Sequence, residues 1–230
     1  MTLLIAAAAG FVLLHLLVSG TRGRDALTGV VGQGPYMGLF SLASLGLIVW
    51  MGFAFAAART DPANAAYWSA TRATKIVQMV LTLLAFLLAV PGLLTPNPTS
   101  VRQEGALDRP DAVKGMLRIT RHPFLWGVAI WAAGHLLVNG RLADFVLFGS
   151  LLGLAVFGTA SIDAKRRRAL GEKWDAFAAQ TSNIPFGAIL SGRQKLSLGE
   201  IGWWRIALAL VIWAAVMWVH PYAFGVRAAP

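Results

Sequence analysis

The chain contains no cysteine, which excludes disulfides, thiolate metal centres and cysteine nucleophiles. Acidic residues are scarce, with 10 Asp and Glu in 230 residues, and only 13% of the chain is charged. A soluble domain carries about 25% charged residues. Carboxylate-rich metal nests and paired carboxylates inside the apolar runs are therefore absent; Asp144 and Asp163 stand only at the ends of such runs. No internal repeat and no low-complexity stretch interrupts the sequence.

What is present is apolar. Hydrophobic residues make up 57% of the chain, and the mean hydropathy is +0.64. They gather into runs near the length that crosses a bilayer as a helix. The sequence predicts an all-α polytopic membrane protein, one domain over 1–230 with about six spans at roughly 2–20, 36–57, 72–94, 123–139, 142–162 and 202–220. The first run lacks a basic leader and is too long for a signal peptide, so it reads as a membrane helix. "NGRL" joins the fourth and fifth spans as a tight antiparallel helical hairpin. Pro91 is expected to kink or end the third.

The net charge of +10 reads as basic loops rather than a nucleic-acid surface, because no soluble recognition module accompanies it. Most Lys and Arg fall on one side: Arg22 and Arg24, then Arg102 to Arg121, then Lys165 to Arg205. That side is expected to face the cytoplasm, with both termini periplasmic in a bacterial inner membrane. Segments 95–121 and 163–201 would cap the bundle there.

Four histidines remain. His220, in "WVHPY", suits an interfacial aromatic belt. His122 precedes Pro123, a residue at home in a first helical turn, and stands beside Arg118 and Arg121. It is open to three readings: a cap, a contact to lipid phosphate, or the lining of a site. His15 and His135 are flanked by apolar residues on both sides. Such a residue either bonds to a neighbouring helix or ligates a metal. Zinc prefers three or four protein ligands. Two histidines without acids suit haem better, since the porphyrin supplies four nitrogens of its own. Phe11 and Trp131 lie one turn before His15 and His135, and Gly127 and Gly134 would admit a flat group. The span boundaries place His15 near the basic end and His135 toward the other, about 10 Å apart in depth. His122 and His135 point to nearly opposite faces of one helix, so they are not expected to share a site.

"LLHLLVSGTRGRDALTGVVGQGPYMGLFSLAS", "ITRHPFLWGVAIWAAGHLLVNG" and "GEKWDAFAAQTSNIPF" together resemble the NnrU family. That family includes bacterial proteins linked to denitrification and the plant and cyanobacterial 15-cis-zeta-carotene isomerases. The resemblance implies haem b held between His15 and His135, which would be both metal ligands and catalytic residues. It implies a redox-dependent cis–trans isomerase of a polyene, with a hydrophobic substrate or lipid met inside the bilayer. Phe11, Arg121, His122, Gly127 and Trp131 are the expected cofactor contacts. The isomerases carry a cysteine where this chain has Ala132. A more distant resemblance runs to isoprenylcysteine-type membrane methyltransferases, through Arg121, His122 and Pro123 followed by Asp163, Trp174 and Phe177. It implies S-adenosylmethionine as an alternative cofactor. Against it, Leu170, Trp174 and Phe177 share one face and also fit an amphipathic interfacial helix. A third reading is a non-enzymatic membrane factor that supports a denitrification or respiratory complex.

Overall fold

A computed structural model describes residues 1–228, and the fold is mostly helical. The elements are α1 (Thr2–Leu13, continued by a π-helical turn, Leu14–Ser19), α2 (Arg22–Val31), α3 (Gln33–Ala58), β1 (Ala66–Ser69), α4 (Arg72–Leu93), a 3₁₀ turn (Glu104–Asp108) and α5 (Met116–Ile119). They continue as α6 (Pro123–Val138), β2 (Asn139–Arg141), α7 (Leu142–Leu170), α8 (Glu172–Gln180), α9 (Gly187–Leu190), α10 (Leu198–Ile201) and α11 (Trp203–Phe224).

Among the described residues, five helices are long and apolar enough to cross a membrane: α1 with its π turn, α3, α4, α7 and α11. The sixth expected span, α6, has 16 residues and falls short of that length. It rises about 24 Å at 1.5 Å per residue, against a hydrocarbon core of about 30 Å. Pro91 does not stop α4, which runs on to Leu93. The fifth expected span, 142–162, is the start of a longer helix: α7 continues to Leu170 and carries Asp163 and the basic run with it.

Side-chain size decides how the helices meet. In lipid there is no hydrophobic drive between them, so close backbone approach supplies the energy. Leu4, Ala7 and Ala8 of α1 meet Met51, Ala54 and Ala58 of α3 and Ala143 of α7. Gly92 lets Pro123 approach α4, and further along Gly127 sits against Ala85 and Ala89. The neighbours run α3, α1, α7, α6, α4, α11. The "NGRL" hairpin is present, but its strand residues also pair antiparallel with β1, whose Ala66–Ser69 stretch gave no strand signal in sequence.

The two basic segments fold on each other at one end. Arg121 N–H donates to Ser182 O at 2.9 Å, and Phe186 N–H donates to Ile119 O at 2.8 Å. Arg118 forks onto Glu200 at 2.7 and 2.9 Å. Glu200 also accepts from the N–H of Gly115, whose φ of 56° lets the backbones close. Arg166 pairs with Glu104. The expected interfacial helix is corrected here. Trp174 and Phe177 of α8 are buried against Leu117, with relative exposures of 0% and 3%, so that face packs on protein and not on lipid.

Candidate functional site

His15 sits in the π-helical turn, whose widened geometry is rare and recurs at functional positions. Its Nδ1 lies 2.8 Å from Phe11 O, one turn back on its own helix. Nε2 points toward Ser44 Oγ of α3 at 3.4 Å. The Phe11 ring is 4.3 Å away, centroid to centroid, and Phe40 presents an edge at 5.1 Å.

His135, near the end of α6, is held in the same way. Its Nδ1 lies 2.9 Å from Trp131 O. Gln78 Nε2 of α4 is also 2.9 Å from that Nδ1, while Gln78 Oε1 is buried without a partner. With the ring proton on Nδ1, the amide orientation that avoids setting two donors against each other turns Oε1 toward the ring. Phe148 of α7 stacks on the imidazole at 4.7 Å, and Trp131 lies at 4.6 Å.

Both rings set Nδ1 against a backbone carbonyl one turn back, and the tautomer that uses this contact carries its proton on Nδ1 and its lone pair on Nε2. That is the arrangement of a metal-ligating histidine, in which the partner of one nitrogen fixes the tautomer that frees the other. It also meets the hydrogen-bonding need of a histidine in apolar surroundings. Among the described residues no group of three or more His, Cys, Asp or Glu side chains gathers. The two imidazoles do not add up to a protein-only metal centre.

The depth offset expected from the span boundaries persists in the backbone. Gly20 abuts Ser161, and Leu125 abuts Gly158, so α1 runs parallel to α7 and α6 antiparallel to it. His15 is then level with about residue 156 of α7, whereas His135 meets Phe148. Eight residues correspond to about 12 Å. Side chains lean toward the N-terminus of their own helix. Because α1 and α6 are antiparallel, the two rings lean toward each other and narrow the gap. Their neighbours share no residue, and α7 stands between their helices.

The other expected contacts lie elsewhere. Gly127 and Gly134 are taken up by α4: a Cβ at Gly127 would stand 2.8 Å from Ala85 O, and one at Gly134 would collide with Gln78 Oε1. Neither glycine offers its face to a flat group. Arg121 and His122 belong to a second constellation at the start of α6. There Arg121 Nε and a terminal nitrogen bond Asp163 at 2.9 and 2.6 Å, and His122 Nε2 bonds Asp163 Oδ1 at 2.7 Å. Asn183 Nδ2 donates to Asp163 Oδ2 at 3.0 Å, while Asn183 O accepts from Trp126 Nε1 and Thr120 Oγ1. Arg121 O accepts from Asn97 and Thr99. His122 is 2% exposed, and burial pushes its pKa below the ordinary histidine value; Asp163 opposes the shift and Arg121 adds to it. Three side chains share the two oxygens of Asp163, so the cluster is a closed clasp between α6, α7 and the cap. Sequence reasoning found Arg121, His122 and Asp163 but missed Asn183, Gln78 and Ser44, whose roles depend on partners far away in the chain.

No solved structure matches the chain. It is 29% identical over 178 residues to the chloroplastic 15-cis-zeta-carotene isomerase of Zea mays, covering 75% of this chain and 47% of the maize protein. It is 32% identical over 106 residues to the enzyme of the same name from Arabidopsis thaliana, covering 45% of this chain and 29% of that protein. At most about half the length of either relative is matched. The family described as NnrU protein matches residues 3–228, nearly the whole chain. The chain belongs to the NnrU family.

Proposed function

We propose that this chain binds haem b between His15 and His135 and catalyses cis–trans isomerisation of a polyene in the membrane. The observation that carries the reading is the shared anchoring of the two imidazoles: each sets Nδ1 against the carbonyl one turn back, and the tautomer this favours leaves the lone pair on Nε2, which in His15 faces only a long contact from Ser44 Oγ. The names of the two relatives supply the reaction class, with 15-cis-zeta-carotene as the substrate to try first. Bound haem would supply an iron that lends electron density to a double bond and lowers its barrier to rotation. The protein's own residues orient and exclude water. Phe11, Phe40, Trp131 and Phe148 surround the imidazoles with apolar ring faces suited to a hydrocarbon chain. The Gln78 amide fixes the ring angle of His135. Ala132 stands where the isomerases carry a cysteine, so a ligand exchange that needs a thiol is outside this chain's means. The basic cap faces the cytoplasm by the rule that places Lys and Arg there.

The methyltransferase reading finds less support. Asp163, which would have to meet adenosylmethionine, is already bonded by Arg121, His122 and Asn183. The experiment is incubation of the purified, reduced protein with 15-cis-zeta-carotene, followed by chromatography. The reading expects loss of the 15-cis isomer with wild type and none with His135→Ala. A haem-loaded protein that leaves the carotene unchanged would instead point to a haem-carrying factor without catalysis.

A further inference from the structure

At the basic end of the bundle, the first turn of α2 faces the last turns of α7 across a concave, half-open pocket of about 380 Å³. Its lining is Arg22, Arg24, Asp25, Lys165, Arg168 and Ala169. Four cations thus face one carboxylate, and that carboxylate neutralises little. Asp25 approaches Arg24 only to 3.9 Å and is itself 61% exposed. Arg168 reaches Gly20 O at 3.4 Å, a weak contact. Arg22 and Lys165 have no hydrogen-bond or ion-pair partner among the described residues. The neighbouring cation Arg166 is treated differently: it pairs with Glu104 and bonds Ser100 O. The fold pairs two arginines of the "KRRR" run with carboxylates, Arg166 with Glu104 and Arg167 with Asp175, and leaves the two cations of the run that line the pocket, Lys165 and Arg168, without one among the described residues.

The helix that forms one wall has a second property. Leu27, Val30 and Val31 of α2 are exposed, at 45%, 85% and 42%. They stand at i, i+3 and i+4, one apolar stripe on a short helix whose first turn carries Arg22 and Arg24. Leu13 and Leu17, at the end of the first span, are exposed as well. An apolar stripe beside unpaired cations at the end of a membrane bundle is the pattern of a helix lying in the headgroup layer. Basic pockets in that position hold phosphate-bearing headgroups.

We infer that the pocket between α2 and α7 binds the phosphate of an anionic phospholipid, with Arg22, Arg24, Lys165 and Arg168 around the phosphate and the acyl chains along Leu27 and Val30. The ligand chemistry is a phosphate ester. The apolar stripe favours a lipid as its source over free phosphate, for which Leu27 and Val30 would have no use.

The test uses the full chain in nanodiscs of phosphatidylcholine with and without phosphatidylglycerol, released into the gas phase for native mass spectrometry. Wild type should retain one phosphatidylglycerol in preference to phosphatidylcholine. Arg22→Gln/Lys165→Gln/Arg168→Gln should lower that retention tenfold or more, whereas Arg59→Gln/Arg72→Gln/Lys75→Gln, an equal charge loss at the opposite end, should not. Lys165→Gln alone removes a charge that makes no hydrogen bond in the fold, and it should weaken retention even if the triple variant fails to assemble. Equal retention by wild type and Lys165→Gln would overturn the proposal. So would calorimetric binding of inorganic phosphate that displaces the lipid, because the site would then belong to free phosphate.

Discussion

Gln78 and His135 lie 57 positions apart, yet the side-chain amide of one meets the imidazole Nδ1 of the other at 2.9 Å across α4 and α6. Gly134 makes this possible. A side chain there would occupy the space that Gln78 fills. The glycine next to the histidine therefore serves the partner of the histidine.

Gln78→Leu should lower haem affinity about 10-fold or more, the usual cost of removing a residue that orients a metal ligand. Titration of apoprotein with haem, followed in the Soret region, measures it. Gly134→Ala should give the same defect by displacing Gln78, and combining the two should add little.

Asp163→Asn leaves Arg121 and His122 without their charge partner. Both are largely buried, with side-chain exposures of 13% and 1%. Breaking a buried charge cluster from one side costs about 3–5 kcal/mol. Thermal unfolding in detergent should shift downward accordingly. The Soret band of surviving folded protein should be unchanged, because the clasp and His135 occupy opposite ends of α6.

The clasp should also weaken with acid. Burial first, and Arg121 second, hold the His122 pKa below its ordinary 6.5, although Asp163 pulls it back. His122 is then neutral in the folded protein, while the unfolded chain takes up a proton below about pH 6.5. Stability contributed by neutral His122 is complete above that pH and is lost as pH falls toward the depressed folded value. Unfolding temperature against pH should decline on the acid side of 6.5, and His122→Asn should flatten the decline.

Gly127→Ala places a methyl 2.8 Å from Ala85 O and Ala89 Cβ. Neither neighbour can rotate away, so α6 must move off α4. Overpacking of this kind costs about 1–3 kcal/mol. Unfolding measurements on the variant check the value, and Gly153→Ala, which meets open space, is the control expected to change little.

The membrane helices were legible because length and hydropathy alone specify them; α1, α3, α4, α7 and α11 begin or end within a few residues of expectation, α7 excepted at its far end. There the Lys165–Arg168 run looked like a loop, yet a charged helix leaving the membrane has the same composition. α8 shows a different limit. An apolar stripe of Leu170, Trp174 and Phe177 is written identically for lipid and for protein, and only the position of Leu117 tells them apart. His15 and His135 stood out because imidazole is costly among apolar residues. The π turn under His15 and the amide opposite His135 carry no local signal, since both depend on packing between helices. Gly127 was noticed for its smallness, but smallness does not say which neighbour needs the room.

The most direct test is the visible absorption spectrum of the protein purified after expression with a haem precursor. The account predicts a Soret band with the signature of bis-histidine ligation, lost or converted to a one-histidine spectrum in His15→Ala and in His135→Ala alike. A colourless wild-type protein, or a Soret band that neither substitution alters, would contradict it.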